Sequence, residues 1–264
     1  MSLGCAEGGV CCVFGDGLWG AVAIAFWLMG NGTTTVGDVR RVRQVASFDA
    51  LLRTPFGGEV NALCWRRFIP GDFAEVAARL PVGTGIVAVS DDEVASLDLS
   101  PAGRLAADAL IADQRLLRAH DLDPTLNCIH DCVRGSEPGI VPTDVTSFHV
   151  DSSPIEVDTW LCTYLGACSE GIANEEAVRK VDIPEVRAAL LAEYGGVDDD
   201  GFCEYLRDCS YEYHYSPRQG ARPYSFGRFA LWRIATLWPG NPVLPCIHRA
   251  PENHPGSPRL LLIS

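Results

Sequence analysis

Phe148-His149-Val150-Asp151 is the stretch on which the reading of this chain turns. In an extended strand, side chains two positions apart point to the same face. His149 and Asp151 therefore converge on one side, while Val150 packs the other way. Working outward, residues 147–150, 156–165, 228–238, 245–250 and 259–263 read as strands. They are short, rich in β-branched and aromatic residues, and bounded by Gly, Pro, Asn or Ser. Two helical patterns, 184–194 and 202–211, interrupt them as an insertion.

His248 lies on the short apolar strand Leu244-Pro245-Cys246-Ile247-His248, and His254 follows in the turn beyond. His149, Asp151 and His248 make two imidazoles and one carboxylate. That donor set is the facial triad of non-haem Fe(II) oxygenases, which leaves positions open for oxygen and a co-substrate. The Pro/Asn/Gly-rich turn after His248 leads into Arg259-Leu260-Leu261-Leu262-Ile263. A turn of this kind between two apolar strands predicts an antiparallel hairpin. Such a hairpin lays Arg259 near the level of His248, where a guanidinium suits the distal carboxylate of 2-oxoglutarate. Tyr164 is a further candidate for the pocket, although the sequence leaves its face open.

Upstream, to about residue 123, the pattern is mixed, with three helical stretches. Residues 47–52 form one short pattern. Residues 72–80 form a second, with Phe73, Val76, Ala77 and Leu80 on one face. The longest runs over 100–120, with Ser100 suited to the N-cap and Pro101 to the first helical position. The expectation is an α+β chain with a double-stranded β-helix (jelly-roll or cupin-like) core, N-terminal helices and a helical insertion. Residues 1–44 read as an N-terminal extension and 45–264 as the jelly-roll domain.

Composition limits the function classes. The 264 residues carry a formal net charge of -13, which disfavours nucleic acid and anionic membranes as partners. The apolar run 17–29 is shorter than the roughly 20 residues of a bilayer span and has no basic residue before it. Eleven cysteines at irregular spacing read as small buried hydrophobes in a reducing, cytoplasmic setting rather than a disulfide framework.

The pattern of an H-x-D, a late His and an Arg resembles the Fe(II)/2-oxoglutarate-dependent oxygenase superfamily. More closely, the chain is similar to a bacterial family of unknown function. That family has F-H-x-D, C-T-Y-x-G, H-R-S-P and R-L-L-L segments. The matching residues here are Phe148-His149-Val150-Asp151, Cys162-Thr163-Tyr164-Leu165-Gly166, His248-Arg249-Ala250-Pro251 and Arg259-Leu260-Leu261-Leu262. Cys64-Trp65-Arg66-Arg67 is similar to a further W-x-R-x segment, and the likeness covers about residues 45–264. After C-T-Y-x-G the family continues P-G-T-E-W, whereas this chain reads Ala167-Cys168-Ser169-Glu170-Gly171. The departure alters a loop expected to border the pocket. The superfamily resemblance implies Fe(II) on His149, Asp151 and His248, 2-oxoglutarate on Arg259, molecular oxygen, and a small-molecule substrate. A non-redox metal-binding jelly roll is the alternative.

Three other patterns compete. Gly15-Asp16-Gly17-Leu18-Trp19-Gly20 is a literal G-x-G-x-x-G after an apolar strand pattern, with Asp38 further on; that order is a dinucleotide-binding fingerprint and implies an oxidoreductase. Cys128-Ile129-His130-Asp131-Cys132 offers zinc-ligand types but no clear second pair. Tyr211-Glu212-Tyr213-His214-Tyr215 reads as a helix end packed on the sheet or a lid. Trp232 and Trp238 read as core.

Overall fold

The computed structural model describes residues 39–80, 83–130, 139–252 and 256–264. The G-x-G-x-x-G segment, Asp38, Asp131, Cys132 and His254 lie outside them. The first half holds β1 (Val42–Val45), α1 (Phe48–Arg53), β2 (Ala62–Trp65), α2 (Phe73–Arg79) and β3 (Gly85–Val89). It continues through α3 (Asp91–Ser96), α4 (Pro101–Arg118) and β4 (Thr125–His130). The second half holds β5 (Asp158–Leu165), β6 (Glu170–Ile172), β7 (Ala177–Arg179), α5 (Pro184–Tyr194) and α6 (Asp200–Asp208). It ends with β8 (Tyr215–Pro217), β9 (Tyr224–Ser225), β10 (Leu231–Ala235), β11 (Ile247–Arg249) and β12 (Arg259–Ile263).

The helix signals act as expected. The Ser47, Asp72 and Ser100 side chains each accept a backbone N–H in the first turn of α1, α2 and α4, and Pro101 opens α4. These caps set where each helix starts, and apolar faces then fix it to the sheet. Leu51, Val76, Leu110 and Leu117 are fully buried there, and truncating one such leucine costs about 2–5 kcal/mol.

Seven strands form the main sheet in the order β1-β2-β10-β5-β12-β4-β3. Only β1 and β2 pair in parallel; the other neighbours are antiparallel. Alternation splits each strand between two cores. Leu63, Leu126, Trp160, Cys162, Tyr164, Leu231, Leu260 and Leu262 face the helical core. Ala62, Cys64, Leu161, Trp232 and Ile234 join Tyr224, Phe226 and Cys246 in a second core. There Trp232 stacks on Phe226 with ring centroids 4.3 Å apart and donates its indole N–H to the Phe226 carbonyl. A three-stranded sheet, β11-β6-β9, and a β7–β8 pair complete the strands. His149 ties them together by single bridges to His214 and to His248. The fold is mixed α/β, with a large, mainly antiparallel sheet and several helices.

Several expectations are corrected here. Four strands of the main sheet lie outside the segments read as strands: β1 begins in the supposed extension, β2 and β3 stand between the helical patterns and β4 follows them, and each is only four to six residues long. The main sheet already begins at Val42, within the supposed extension. Residues 147–150 are not a continuous strand but carry isolated bridges at His149. β11 and β12 do not form a hairpin: β11 pairs with β6, and β12 with β4 and β5. Trp238 lies beyond β10 and is half-buried. Among the described residues, no helix is long and apolar enough to cross a membrane. The described cysteines are all free, and Cys64, Cys128, Cys162 and Cys246 are buried.

Candidate metal centre

His149 and His248 are held opposite each other by the main chain. Each donates its backbone N–H to the other's carbonyl at 2.9 Å, the close exchange of a hydrogen-bonded antiparallel pair. On its other side Val150 donates to the Tyr213 carbonyl. The ring centroids of His149 and His248 consequently lie 4.6 Å apart.

Both rings are oriented in the same way. His149 Nδ1 lies 2.8 Å from the Ser147 carbonyl, and His248 Nδ1 lies 3.3 Å from the Cys246 carbonyl. A carbonyl only accepts, so each Nδ1 carries a proton, and Nε2 is the ring nitrogen that faces away from these carbonyls and can ligate. The two Nε2 atoms meet one carboxylate: His149 Nε2 is 3.8 Å from Asp151 Oδ1, and His248 Nε2 is 3.7 Å from Asp151 Oδ2. The three donor atoms lie within 4.8 Å of one another, and the group can hold a metal ion. Bonds of about 2.1 Å at right angles put neighbouring donors about 3 Å apart, so separations of up to 4.8 Å must close by up to about 1.8 Å to surround an ion.

The surroundings suit that role. Thr159 donates its hydroxyl to Asp151 Oδ2 at 2.5 Å, fixing the carboxylate as outer partners of metal ligands commonly do. Burial, with the neighbouring His248, holds the His149 imidazole below its ordinary pKa. The neutral form is the ligating one. His214, which sequence reading treated only as part of an aromatic segment, has its ring centroid 5.8 Å from that of His149. Burial first, then His149 and Lys180, push its pKa down to about 4. Its Nδ1 is buried with no hydrogen-bond partner among the described residues. The bridge to His149 that brings it here is a long-range pairing without a local sequence signal.

A cavity of about 530 Å³ opens beside the triad, and His149, Asp151, His248, Ser169 and Arg259 all line it. A second, of about 590 Å³, reaches His149 and Asp151 from the side of His214 and Arg207. Arg259 thus shares a cavity with His248, although the two come from different sheets and not from a hairpin. Its side chain is 4% exposed. Nη2 donates to Ser169 Oγ at 2.9 Å, while Nε has no partner among the described residues. Burial pushes its pKa down to about 10. Ser169 belongs to the stretch that departs from the P-G-T-E-W pattern. Gly166 makes the close approach possible. It has φ +83°, and a Cβ there would meet the Pro258 carbonyl at 2.7 Å and Arg259 Cα at 3.2 Å.

Tyr164 is corrected. It alternates with the cavity-lining Thr159 and Leu161, so it faces the helices, where its hydroxyl donates to Asp113 Oδ2 at 2.6 Å. Cys128 also faces the helical core, and burial pushes its thiol up to about 11. That pairs poorly with a zinc thiolate.

No protein-family model, curated protein or solved structure matches this chain.

Proposed function

We propose that this protein is a non-haem Fe(II)- and 2-oxoglutarate-dependent oxygenase acting on a small molecule, with its seven- and three-stranded sheets arranged as a double-stranded β-helix. One observation carries the reading. Two imidazoles and a carboxylate converge at one wall of a cavity that also contains a buried guanidinium with no anionic partner among the described residues. A buried cation without an anion is costly, and a carboxylate ligand relieves that cost.

His149, Asp151 and His248 would hold Fe(II), leaving coordination positions open toward the cavity. When bound, iron with 2-oxoglutarate and oxygen supplies the oxidising power for attack on a substrate C–H bond. The chain's own residues do the positioning. Ser169 accepts from Arg259 Nη2 and so turns the guanidinium edge, leaving Nε and its neighbouring N–H groups for a carboxylate. Thr159 keeps the Asp151 carboxylate from rotating away. Aliphatic side chains make up much of the remaining wall and favour an apolar substrate there.

The test is an anaerobic titration with Fe(II) followed by 2-oxoglutarate, watching for the weak visible charge-transfer band of a chelated keto acid. The band is expected, is abolished by His248→Ala and weakened by Arg259→Met. Tight metal binding without a band replaces the oxygenase with a non-redox metal-binding protein. No metal binding removes the reading altogether.

A further inference from the structure

The cavity-facing side of the main sheet carries a pattern that the metal triad and Arg259 leave unused. On β4, Leu126 and Cys128 point into the helical core, so Asn127 and Ile129 project from the other face and line the cavity. Cross-strand register sets their neighbours. Ile129 stands between Arg259 of β12 and Ile86 of β3, and Asn127 stands between Leu261 of β12 and Ala88 of β3. Ile263 continues β12, with Leu161 of β5 opposite it. Ile86, Ile129, Leu161, Leu261 and Ile263 all line the cavity and make an aliphatic floor. Strands lie about 4.8 Å apart, so the row from Arg259 to Ile86 covers about 10 Å. Exposure rises along it, from 4% at Arg259 and 7% at Ile129 to 60% at Ile86. The floor therefore runs from the buried guanidinium to the mouth.

One carboxamide interrupts this floor among the described lining residues, that of Asn127. It is half-buried on an interior strand, where asparagine is disfavoured. Folding gives it little in return. Nδ2 donates to the Thr125 carbonyl at 3.3 Å, and Oδ1 accepts from no described residue. The other neutral polar groups of the lining are committed: Thr159 serves Asp151, Ser169 serves Arg259, and Thr146 serves Asp144. Asp144 is itself already engaged, and Glu252 is exposed to water.

We infer that the substrate is an uncharged aliphatic compound, seated on the Ile86–Ile129–Leu261 floor, whose neutral hydrogen-bonding group is read by the Asn127 carboxamide. With the co-substrate on Arg259, one end of the compound is presented to His149, Asp151 and His248, and to that extent the substrate class rests on the proposed oxygenase. A carboxamide offers both a donor and an acceptor, so it matches a hydroxyl or a second amide. A charged group would give up its water on this floor without meeting a free countercharge. Apolar walls with a few placed polar groups are the usual make-up of a small-molecule site.

Calorimetry on the full chain loaded with Zn(II) and 2-oxoglutarate tests this, using probes that are poor metal ligands. Hexanamide is expected to bind at least about tenfold more tightly than hexanesulfonate or hexyltrimethylammonium. It is expected to bind about fourfold more tightly than pentanamide, the step of one buried methylene. Asn127→Leu keeps the size and removes the polar group, and is expected to weaken hexanamide about tenfold. Ile86→Arg, at an exposed position, puts a charge on the floor and is expected to do the same, with Ile86→Leu retaining binding. Equal or tighter binding of either charged probe overturns the inference, as does indifference to Asn127→Leu or to Ile86→Arg. The two readings fail separately. Zn(II) and 2-oxoglutarate binding without hexanamide binding sinks the substrate class alone. Hexanamide binding to a chain that takes up no metal sinks the metal centre alone.

Discussion

Arg67, half-buried, and Arg259, buried, serve opposite faces of the main sheet and are treated in opposite ways. On the helical face, Arg67 makes a two-pronged ion pair with Asp113 at 2.6 and 2.8 Å and donates Nε to the Phe229 carbonyl. Its guanidinium also lies over the Trp65 ring, and Tyr164 donates to the same aspartate. On the cavity face, Arg259 has one serine hydroxyl and an unpartnered Nε among the described residues. The first is a completed network whose work is to fix helices to strands. The second is left with an unsatisfied donor among the described residues, and in the proposed function an anionic ligand completes it. Burial alone does not separate structure from function here; saturation of the donors does.

The sharpest way to break the comparison is Asp113→Ala. It strands the Arg67 charge and is expected to lower unfolding free energy by about 3–5 kcal/mol in urea titrations, in protein whose metal affinity stays within about twofold. A loss of metal binding alongside would show that the two faces are coupled. Next comes His248→Ala, which is expected to lower metal affinity more than about 100-fold, since even outer partners of ligands are worth about 10–100-fold. The rise in melting temperature on adding metal disappears with it. Third, acidification separates the faces by titration. His214 is held at about 4 in the folded chain, against 6.5 unperturbed. The unfolded chain therefore binds more protons between these values, and stability present above pH 6.5 is lost as pH falls toward 4. The slope for the metal-free protein is at most about 1.4 kcal/mol per pH unit. His214→Phe should flatten it, and an unchanged slope would assign the loss to other groups. The smallest effect is Arg259→Met. Removing an unpaired buried charge is expected to change stability by about 1 kcal/mol or less, or to raise it, while 2-oxoglutarate binding is weakened. A destabilisation as large as that of Asp113→Ala would make Arg259 a structural arginine after all.

The legible parts of this molecule were those with local signals. Ser100-Pro101 marks the start of α4, Arg259 to Ile263 is β12 to the residue, and His149-x-Asp151 projects both donors to one side. What escaped was set by long-range pairing. β5 is buried along most of both faces, so no apolar–polar alternation reveals which way Tyr164 points. β1 to β4 are too short for period-two patterning to stand out from flanking helices. Leu244 to His248 and β12 are both apolar and joined by a turn, yet the chain sends them to different sheets. Arg259 still arrives beside His248 because the cavity lies between those sheets, which a hairpin rule does not encode. His214 was missed because its only link to the centre is a single bridge.

The mutual backbone pair between His149 and His248 has a wider consequence. The main chain, and not the imidazoles, fixes the separation of these two positions. Whatever side chain stands at 149 or 248 is delivered to the same spot, facing the same carboxylate. If the group holds an ion as proposed, exchanging one imidazole for a thiolate or a second carboxylate should change which ion is preferred while the backbone pair keeps both positions opposite each other.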